Sequence, residues 1–161
     1  MAYFPLFINL EEKPILVIGG GVIAERRIHS LLEFGCRIFV VSPELTDKLG
    51  QLAEGGRIVW KKEEYSKECL NRYVFANESA PWTFVLAAAL ECVNADVVRD
   101  CKELGILVNN ASRKEDCDFY FPGLIKEKEL VIGVTSGGSD HKFVAALSKR
   151  IRELVQKTWQ V

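Results

Sequence analysis

Short apolar runs alternate with amphipathic stretches along the first two thirds of the chain. Runs of apolar and β-branched residues predict five strands, at Ile15–Ile18, Arg37–Val41, Arg57–Trp60, Thr83–Ala88 and Ile106–Asn109. Apolar residues at helical spacing predict helices at Val22–Phe34 and Asn94–Leu104, each followed by a glycine suited to a helix end, and a short helix near Glu64–Leu70. Strands that alternate with helices in this way predict right-handed crossovers and a parallel sheet.

The pattern changes after Asn110. Phe119–Pro122 and Leu130–Val134 are predicted as two further strands, and a Ser-Gly-Gly turn then leads into a helix from about Asp140. That helix carries an apolar stripe, formed by Val144, Leu147, Ile151, Leu154 and Val155. Such a stripe can pack on its own sheet or form a subunit interface, and the pattern leaves both possibilities open.

A glycine-rich turn, Gly19-Gly20-Gly21-Val22-Ile23-Ala24, separates the first strand from the first helix. A buried strand before it and a helix after it are the context that the dinucleotide-binding fingerprint requires. Gly19 permits the tight turn, Gly21 lets the backbone approach a pyrophosphate, and Ala24 lets the helix pack close to the strand. The sequence therefore predicts an α/β fold of the Rossmann type that binds a nicotinamide cofactor. A flavodoxin-like domain with a glycine turn and no nucleotide is the alternative.

The residues after the second strand bear on which nicotinamide cofactor is bound. This strand ends in Val41-Ser42-Pro43-Glu44, so no acidic residue stands at the strand terminus, where the fingerprint places a ribose contact. Ser42 can exchange a hydrogen bond with the ribose, and Glu44 follows two residues later. No arginine follows to hold a 2′-phosphate, which favours NAD over NADP.

Composition limits the classes of partner. A net charge of -1 and a pI of about 6.2 provide no basic field for nucleic acid or anionic lipid. The longest apolar runs are far too short to span a membrane, and no segment resembles a signal peptide. The five cysteines are odd in number and show no short-spaced pair, which favours reduced thiols in the cytoplasm over a metal site. We therefore expect a cytoplasmic protein without a bound metal.

Several segments taken together resemble a known family. They are Tyr3-Phe4-Pro5-Leu6-Phe7, the strand ending at Gly19-Gly20-Gly21, Ala24-Glu25-Arg26-Arg27, Val41-Ser42-Pro43-Glu44, Gly105-Ile106-Leu107-Val108-Asn109, Phe121-Pro122 and Val134-Thr135-Ser136-Gly137-Gly138-Ser139. In order and spacing they resemble the precorrin-2 dehydrogenase family, the NAD-dependent N-terminal module of siroheme synthases. The resemblance covers nearly the whole chain and is far more specific than the glycine turn alone.

The resemblance implies an activity and an assembly. Precorrin-2 would be oxidised to sirohydrochlorin with NAD⁺ as the hydride acceptor, and some members of the family also insert Fe²⁺ to give siroheme. The resemblance also implies a homodimer held largely by the segment after the Rossmann domain. We therefore expect a Rossmann domain over residues 1–112 and a short dimerisation and substrate-cleft segment over residues 113–161.

The resemblance further implies roles for individual positions. Val22 and Ile23 would contact the pyrophosphate, and Pro43 and Glu44 the adenosine side. The cofactor would also be approached by Ala87 and Ala88 at the end of the fourth strand. The tetrapyrrole would be contacted by the loop at Asn109 and by the turn residues Ser136, Gly137 and Gly138.

Two positions depart from the family pattern. Where the family usually has an aspartate, three residues after the asparagine that ends the fifth strand, this chain has Ser112. A serine is a poor general base without an activating neighbour, so Asp116 or Asp118 on the same loop is a candidate to replace the aspartate. After the glycine pair the family commonly reads Ser-Pro, whereas this chain reads Ser139-Asp140-His141. We expect His141 to be exposed in the first turn of the last helix, with a proton-transfer role as the alternative.

Two other functions compete with the dehydrogenase. A sirohydrochlorin ferrochelatase on the same scaffold is disfavoured by Ser112, since metal insertion must remove two pyrrole protons. A non-catalytic NAD(H)-sensing module usually carries an acidic residue where this chain has Ser42, and it would not explain the Ser-Gly-Gly turn. We expect dehydrogenase activity to exceed chelatase activity.

Overall fold

A computed structural model describes residues 4–68, 70 and 82–158. These residues form two units, one of residues 8–118 and one of residues 4–7 together with 119–158. The boundary lies after Asp118 and not at residue 112, because Asp118 is tied to the fifth strand. Its backbone N–H donates to the Val108 carbonyl over 2.9 Å, and its carboxylate accepts from the Val108 N–H over 2.8 Å.

The larger unit is built on a five-stranded parallel sheet in the order β3-β2-β1-β4-β5. Its strands are β1 Pro14–Ile18, β2 Arg37–Val41, β3 Val59–Lys61, β4 Phe84–Ala87 and β5 Val108–Asn110. Every residue of β1 and β4 is buried, which explains their continuous apolar sequences. The order matches five consecutive strands of the Rossmann order 3-2-1-4-5-6 and not the flavodoxin-like order 2-1-3-4-5, so the Rossmann prediction is confirmed. Strand order reverses between β1 and β4, and ligands of such sheets bind beyond the carboxyl ends of the strands there.

Within the described part of the larger unit, the helices whose two ends are both defined are α1 Val22–Leu32, α2 Asp47–Glu54 and α3 Glu91–Leu104. The predictions found α1 and α3 but missed α2, because Leu49 is the only buried residue in its eight. The signal available for α2 was its cap: the Thr46 hydroxyl accepts the Leu49 N–H over 3.4 Å. In the predicted short helix near Glu64–Leu70, helical residues begin at Lys67, and residue 69 lies outside the described residues.

The smaller unit contains an antiparallel hairpin and a long helix. The hairpin pairs β6 Gly123–Glu127 with β7 Leu130–Val134, and α4 His141–Thr158 follows. The prediction of a strand at Phe119–Pro122 was wrong, because the register that pairs Gly123 with Val134 starts the strand just after Pro122. A Cβ on Gly123 would lie 2.6 Å from the Ser148 Oγ, so α4 packs closely on β6. Within the described ranges, no helix has the length and apolar character needed to cross a membrane.

The buried thiol of Cys36 should make the folded protein less stable as the pH rises in the alkaline range. Burial raises the pKa of this thiol to about 11 from an ordinary value of 9.0. Because the folded-state pKa is the higher one, the contribution is fully present below pH 9 and is lost as pH rises towards 11. Between about pH 7 and pH 10, ionisation of this thiol should lower the free energy of unfolding by roughly 1.4 kcal/mol.

Cys36→Ala should therefore lose less stability over that interval than the wild type, measured by urea unfolding under reducing conditions. Cys92, whose side chain is exposed, offers a matched control as Cys92→Ala. An equal loss in Cys36→Ala and the wild type would contradict the assignment.

Candidate cofactor cleft and adjoining loop

Gly19 makes the turn at the end of β1 possible. Its φ is +113°, a conformation that favours glycine, and its N–H donates to the Val41 carbonyl over 2.9 Å. A Cβ at this position would lie 2.3 Å from the Ala88 carbonyl oxygen and 2.8 Å from the Ala89 nitrogen. Gly19 thus brings the turn after β1 into direct backbone contact with the segment after β4.

Gly20 has a separate packing role that the fingerprint did not predict. A Cβ here would lie 2.2 Å from the Glu44 carbonyl oxygen and 3.0 Å from the Ser42 Oγ. The Gly20 carbonyl also accepts the Thr46 N–H over 3.0 Å. The middle glycine therefore holds the loop after β2 against the turn after β1.

Gly21 faces open space. It is the N-cap of α1 with extended backbone angles, and no heavy atom lies within 4 Å of the position its Cβ would take. No side chain caps the first turn of α1, whose N–H groups have no partners within the helix. Val22 and Ile23, the first two helical residues, are 74% and 46% exposed, whereas Ala24 is fully buried against the sheet. An open helix start of this kind is suited to an anionic group, and the contact of Val22 and Ile23 with a diphosphate stays a prediction.

These turns border a cleft of about 710 Å³, a volume in the usual range for small-molecule and cofactor sites. Its walls are the turn after β1, the loop after β2, the residues after β4 and the segment after β3. They comprise Ile18, Gly19, Gly20, Gly21, Val41, Ser42, Pro43, Glu44, Leu45, Thr46, Glu64, Tyr65, Ala88, Ala89, Leu90 and Val93. Tyr65 is fixed to α3, because its hydroxyl donates to the buried carboxylate of Asp100 over 2.8 Å. Burial and this hydrogen bond raise the pKa of Tyr65, so its hydroxyl stays protonated.

The loop after β2 exposes Pro43 and Glu44 to the cleft but buries Ser42. The Ser42 hydroxyl donates to the Glu44 carbonyl over 2.7 Å, and the Trp60 indole N–H donates to the Ser42 carbonyl over 2.9 Å. Ser42 therefore shapes this loop, a role that the prediction of a ribose contact did not include.

A charged contact joins the starts of α1 and α2 beside the cleft. Lys48 Nζ lies 3.0 Å from the Glu25 carboxylate. Hydrogen bonds from the side chains of Thr46 and Lys48 lower the pKa of Glu25. Glu25, in the first turn of α1, therefore stays ionised.

At the end of β4, the residues that line the cleft are Ala88 and Ala89, whereas Ala87 does not line it. Ala87 is fully buried, and its carbonyl accepts the Ala111 N–H over 2.8 Å. It cannot approach a cofactor directly, because it lies within the sheet. Ala88 lines the cleft as expected, and Ala89, to which the family resemblance assigned no role, lines it as well.

Asn109 is buried, with its side chain engaged inside the protein. Its Oδ1 accepts a hydrogen bond from the guanidinium of Arg27, and its Nδ2 lies 3.5 Å from the Cys117 Sγ. Burial lowers the pKa of Arg27 and raises that of Cys117. The expectation that Asn109 binds the substrate is therefore corrected: its side chain holds the loop after β5 to α1.

The loop after β5 presents Ser112 and Asp116. Ser112 is exposed, and its Oγ accepts the Asn94 amide over 2.6 Å. Asp116 is partly exposed, accepts the Asn110 amide over 3.2 Å and lies 3.7 Å from Arg113. Asp118, the other candidate for the missing aspartate, is bound to the backbone of β5 as described above. All three side chains are at least partly exposed, but one carboxylate oxygen of Asp118 is held by the Val108 N–H.

In the smaller unit, Ser136, Gly137 and Gly138 form a tight turn before α4. Both glycines have positive φ, +65° and +75°, and the Ser136 hydroxyl accepts the Asp140 N–H over 2.9 Å. The Asp140 carboxylate caps α4 by accepting the Phe143 N–H over 2.8 Å. His141 is exposed in the first turn, as expected. In residues 4–68, 70 and 82–158, no group of three side chains is arranged to hold a metal ion.

The chain matches known proteins over nearly its whole length. Residues 6–123 match the family model described as "Putative NAD(P)-binding". A "Probable multifunctional siroheme biosynthesis protein HemA" of Ruminiclostridium josui is 36% identical over 96% of this chain and 29% of its own length. "Siroheme synthase 1" of Aeromonas salmonicida is 32% identical over 96% of this chain and 31% of its own length. The chain thus spans about 30% of the length of these relatives.

A solved structure shares the fold. The protein named "SirC, precorrin-2 dehydrogenase" superposes with a TM-score of 0.67 at 24% identity, covering 97% of this chain and 71% of that one. The family match covers both the glycine turn and the loop after β5. NAD(P) is accordingly the cofactor class of the cleft. The chain belongs to this NAD(P)-binding family, in agreement with its resemblance to the precorrin-2 dehydrogenase module of siroheme synthases.

Proposed function

We propose that the chain oxidises precorrin-2 to sirohydrochlorin with NAD⁺, a step of siroheme biosynthesis. The observation that carries the proposal is the uncapped start of α1 at Gly21, which opens on a cleft of about 710 Å³ at the carboxyl edge of the sheet. The names of the relatives, which refer to siroheme biosynthesis, supply the substrate class.

The protein binds the cofactor through backbone N–H groups at the start of α1 and through the loop after β2. The first-turn N–H groups at Val22 and Ile23 hold the diphosphate, and Pro43 and Glu44 lie beside the adenosine. The exposed Glu44 carboxylate disfavours a 2′-phosphate by like-charge repulsion, so NAD is preferred to NADP. When bound, NAD⁺ supplies the acceptor for the hydride that the substrate loses.

The residues of the loop after β5 handle the proton that the oxidation also releases. Ser112 Oγ contacts an amide donor, Asn94 Nδ2, which cannot activate a hydroxyl as a base. Asp116 offers a partly exposed carboxylate on the same loop. We assign the proton-accepting role to Asp116 and a hydrogen-bonding role to Ser112. The role of Ser136, Gly137 and Gly138 in tetrapyrrole binding stays a prediction of the family resemblance.

We further propose a cytoplasmic homodimer that associates through the smaller unit. Phe143 and Leu154 on α4 are 58% and 65% exposed, although they lie among the apolar positions of that helix. A second copy would cover such side chains. A reducing compartment suits the four free cysteines of the described residues. Sedimentation of the purified protein measures the assembly directly.

Anaerobic turnover of enzymatically generated precorrin-2 with NAD⁺ tests the reaction. We expect NADH and the spectrum of sirohydrochlorin to appear together, faster than the non-enzymatic reaction. Asp116→Ala should lower kcat by about 100-fold or more, since one positioned acid or base usually contributes about 100- to 10,000-fold. Glu115→Ala, which removes an exposed carboxylate from the same turn, is the matched control and should keep the wild-type rate.

The alternatives give different results in this assay. Tight NAD(H) binding without conversion of precorrin-2 would favour a cofactor-sensing module. Insertion of Fe²⁺ into sirohydrochlorin should be slower than the oxidation, because it requires removal of two pyrrole protons by a site with serine at position 112. Efficient iron insertion by the wild type would favour the ferrochelatase.

A further inference from the structure

Asn94 is a fully buried amide in the first turns of α3, and each of its polar atoms has a partner. Its Oδ1 accepts the Ala89 N–H over 2.9 Å, and its Nδ2 donates to the Ala89 carbonyl over 3.1 Å. The same Nδ2 donates to the Ser112 Oγ over 2.6 Å. One side chain therefore binds the residues after β4 and the loop after β5 together.

The contacts with Ala89 fix which way the amide faces. A backbone N–H requires an acceptor and a backbone carbonyl requires a donor, so the oxygen and nitrogen of Asn94 cannot be exchanged without losing both bonds. The second N–H of Nδ2 is then directed at Ser112, whose Oγ must accept it. The Ser112 hydroxyl proton consequently points away from Asn94, and the serine itself is exposed.

We propose that Asn94 is a positioning residue that makes Ser112 a hydrogen-bond donor to a carboxylate of the bound tetrapyrrole. This inference rests on the proposed function. A tetrapyrrole of this class carries several acidic side chains, and a hydroxyl that accepts its hydrogen bond from inside the protein keeps its proton available for such an acceptor. The N–H of Ser112 donates to Asn110 Oδ1 over 2.9 Å, which fixes the backbone that carries the hydroxyl.

Asn94 also couples this loop to the cofactor cleft. Ala89 lines the cleft beside Ala88, whose carbonyl oxygen lies where a Cβ on Gly19 would have to fit. Since Asn94 holds Ala89 through both backbone groups, it keeps the tetrapyrrole-facing hydroxyl at a fixed distance from the cofactor turn. Hydride transfer depends on such placement, because the reacting atoms must be held close together.

The variant Asn94→Asp tests the direction of the hydrogen bond. An ionised carboxylate accepts only, so Ser112 would turn its proton inward and lose its donor role. We expect kcat/KM for precorrin-2 to fall about 10- to 100-fold at neutral pH. Affinity for NADH should fall by a smaller factor, because only the bond to the Ala89 carbonyl is lost on the cofactor side. Lowering the pH should restore part of the activity relative to the wild type, because the protonated carboxyl donates again. Asp96→Asn, an exposed change on the same helix, is the matched control.

A double variant of Asn94 and Ser112 distinguishes a positioning role of Asn94 from a general loss of structure. If Asn94 acts through Ser112, Ser112→Ala should cause a comparable loss, and the double variant should be little worse than Ser112→Ala alone. Multiplicative losses in the double variant would overturn the proposal. Should Asn94→Asp not fold, Asn94→Thr should show the same loss without the recovery at low pH, because a hydroxyl does not titrate in this range.

Binding of sirohydrochlorin, followed by anaerobic absorbance titration in all variants, keeps this test separate from that of the proposed reaction. A wild type that binds sirohydrochlorin without oxidising precorrin-2 would overturn the dehydrogenase, and the same coupling in binding would still support the positioning role. A wild type that binds no tetrapyrrole overturns both.

Discussion

Gly19→Ala is expected to abolish NAD(H) binding and to destabilise the protein. The added methyl would lie 2.3 Å from the Ala88 carbonyl oxygen, and the φ of +113° is strained for any residue with a Cβ. Strain of this kind costs about 1–3 kcal/mol before the clash is counted, so we expect a loss of about 3 kcal/mol or more. Urea unfolding and titration with NADH, monitored by its fluorescence, measure the two effects.

Gly50→Ala provides the control for Gly19→Ala. Gly50 lies within α2, and no atom lies within 4 Å of the position of its Cβ. Alanine there should leave NADH affinity unchanged and raise stability by up to about 1 kcal/mol, because glycine is a poor helix former. Wild-type stability in Gly19→Ala would mean that the contact between the turn and Ala88 is not tight in solution.

Gly21→Val should separate cofactor binding from folding. The new side chain would occupy open space, so the unfolding free energy should fall by only about 1 kcal/mol, the typical cost of an unfavourable N-cap residue. That same space is where the diphosphate must approach the first-turn N–H groups. We expect the Kd for NADH to rise by about 100-fold, equivalent to about 2.7 kcal/mol of binding free energy.

The same NADH titration checks this prediction, with circular dichroism as the measure of folding. Leu104→Val at the far end of α3, an exposed position, is a suitable control that should change neither quantity. Unchanged affinity in Gly21→Val would place the diphosphate elsewhere and remove the main support for the cofactor assignment.

Most of the larger unit could be predicted from the sequence, because its signals are local. The buried strands of a parallel sheet are continuous apolar runs, as in β1, and a glycine turn between such a strand and a helix is typical of dinucleotide-binding folds. The missed helix α2 buries only Leu49, so its sequence shows no repeat of apolar residues at helical spacing. The strand expected at Phe119–Pro122 lies at Gly123–Glu127, since hairpin register depends on the partner strand.

The site was predictable where backbone conformation decides the residue, and less so where side chains meet across the fold. Gly19 and Gly21 follow from the turn itself. The burial of Asn109 depends on Arg27, which is 82 positions away in the chain and on another element. Likewise, the partnership between Asn94 and Ser112 joins α3 to a loop 18 residues later. No local sequence pattern reports such pairs, because they are formed only when distant elements pack together.

The close fit of Gly20 against the loop after β2 has a practical consequence for cofactor engineering. The loop backbone is fixed by Gly20, by the Ser42 hydroxyl and by the Trp60 indole, while the side chains of Pro43 and Glu44 project outward. A library that randomises positions 43 and 44 alone can therefore vary the electrostatic character of the adenosine end on an unchanged frame. Libraries that include position 20 would force a Cβ against the Glu44 carbonyl, and those that include position 42 would lose the hydrogen bond that shapes the loop.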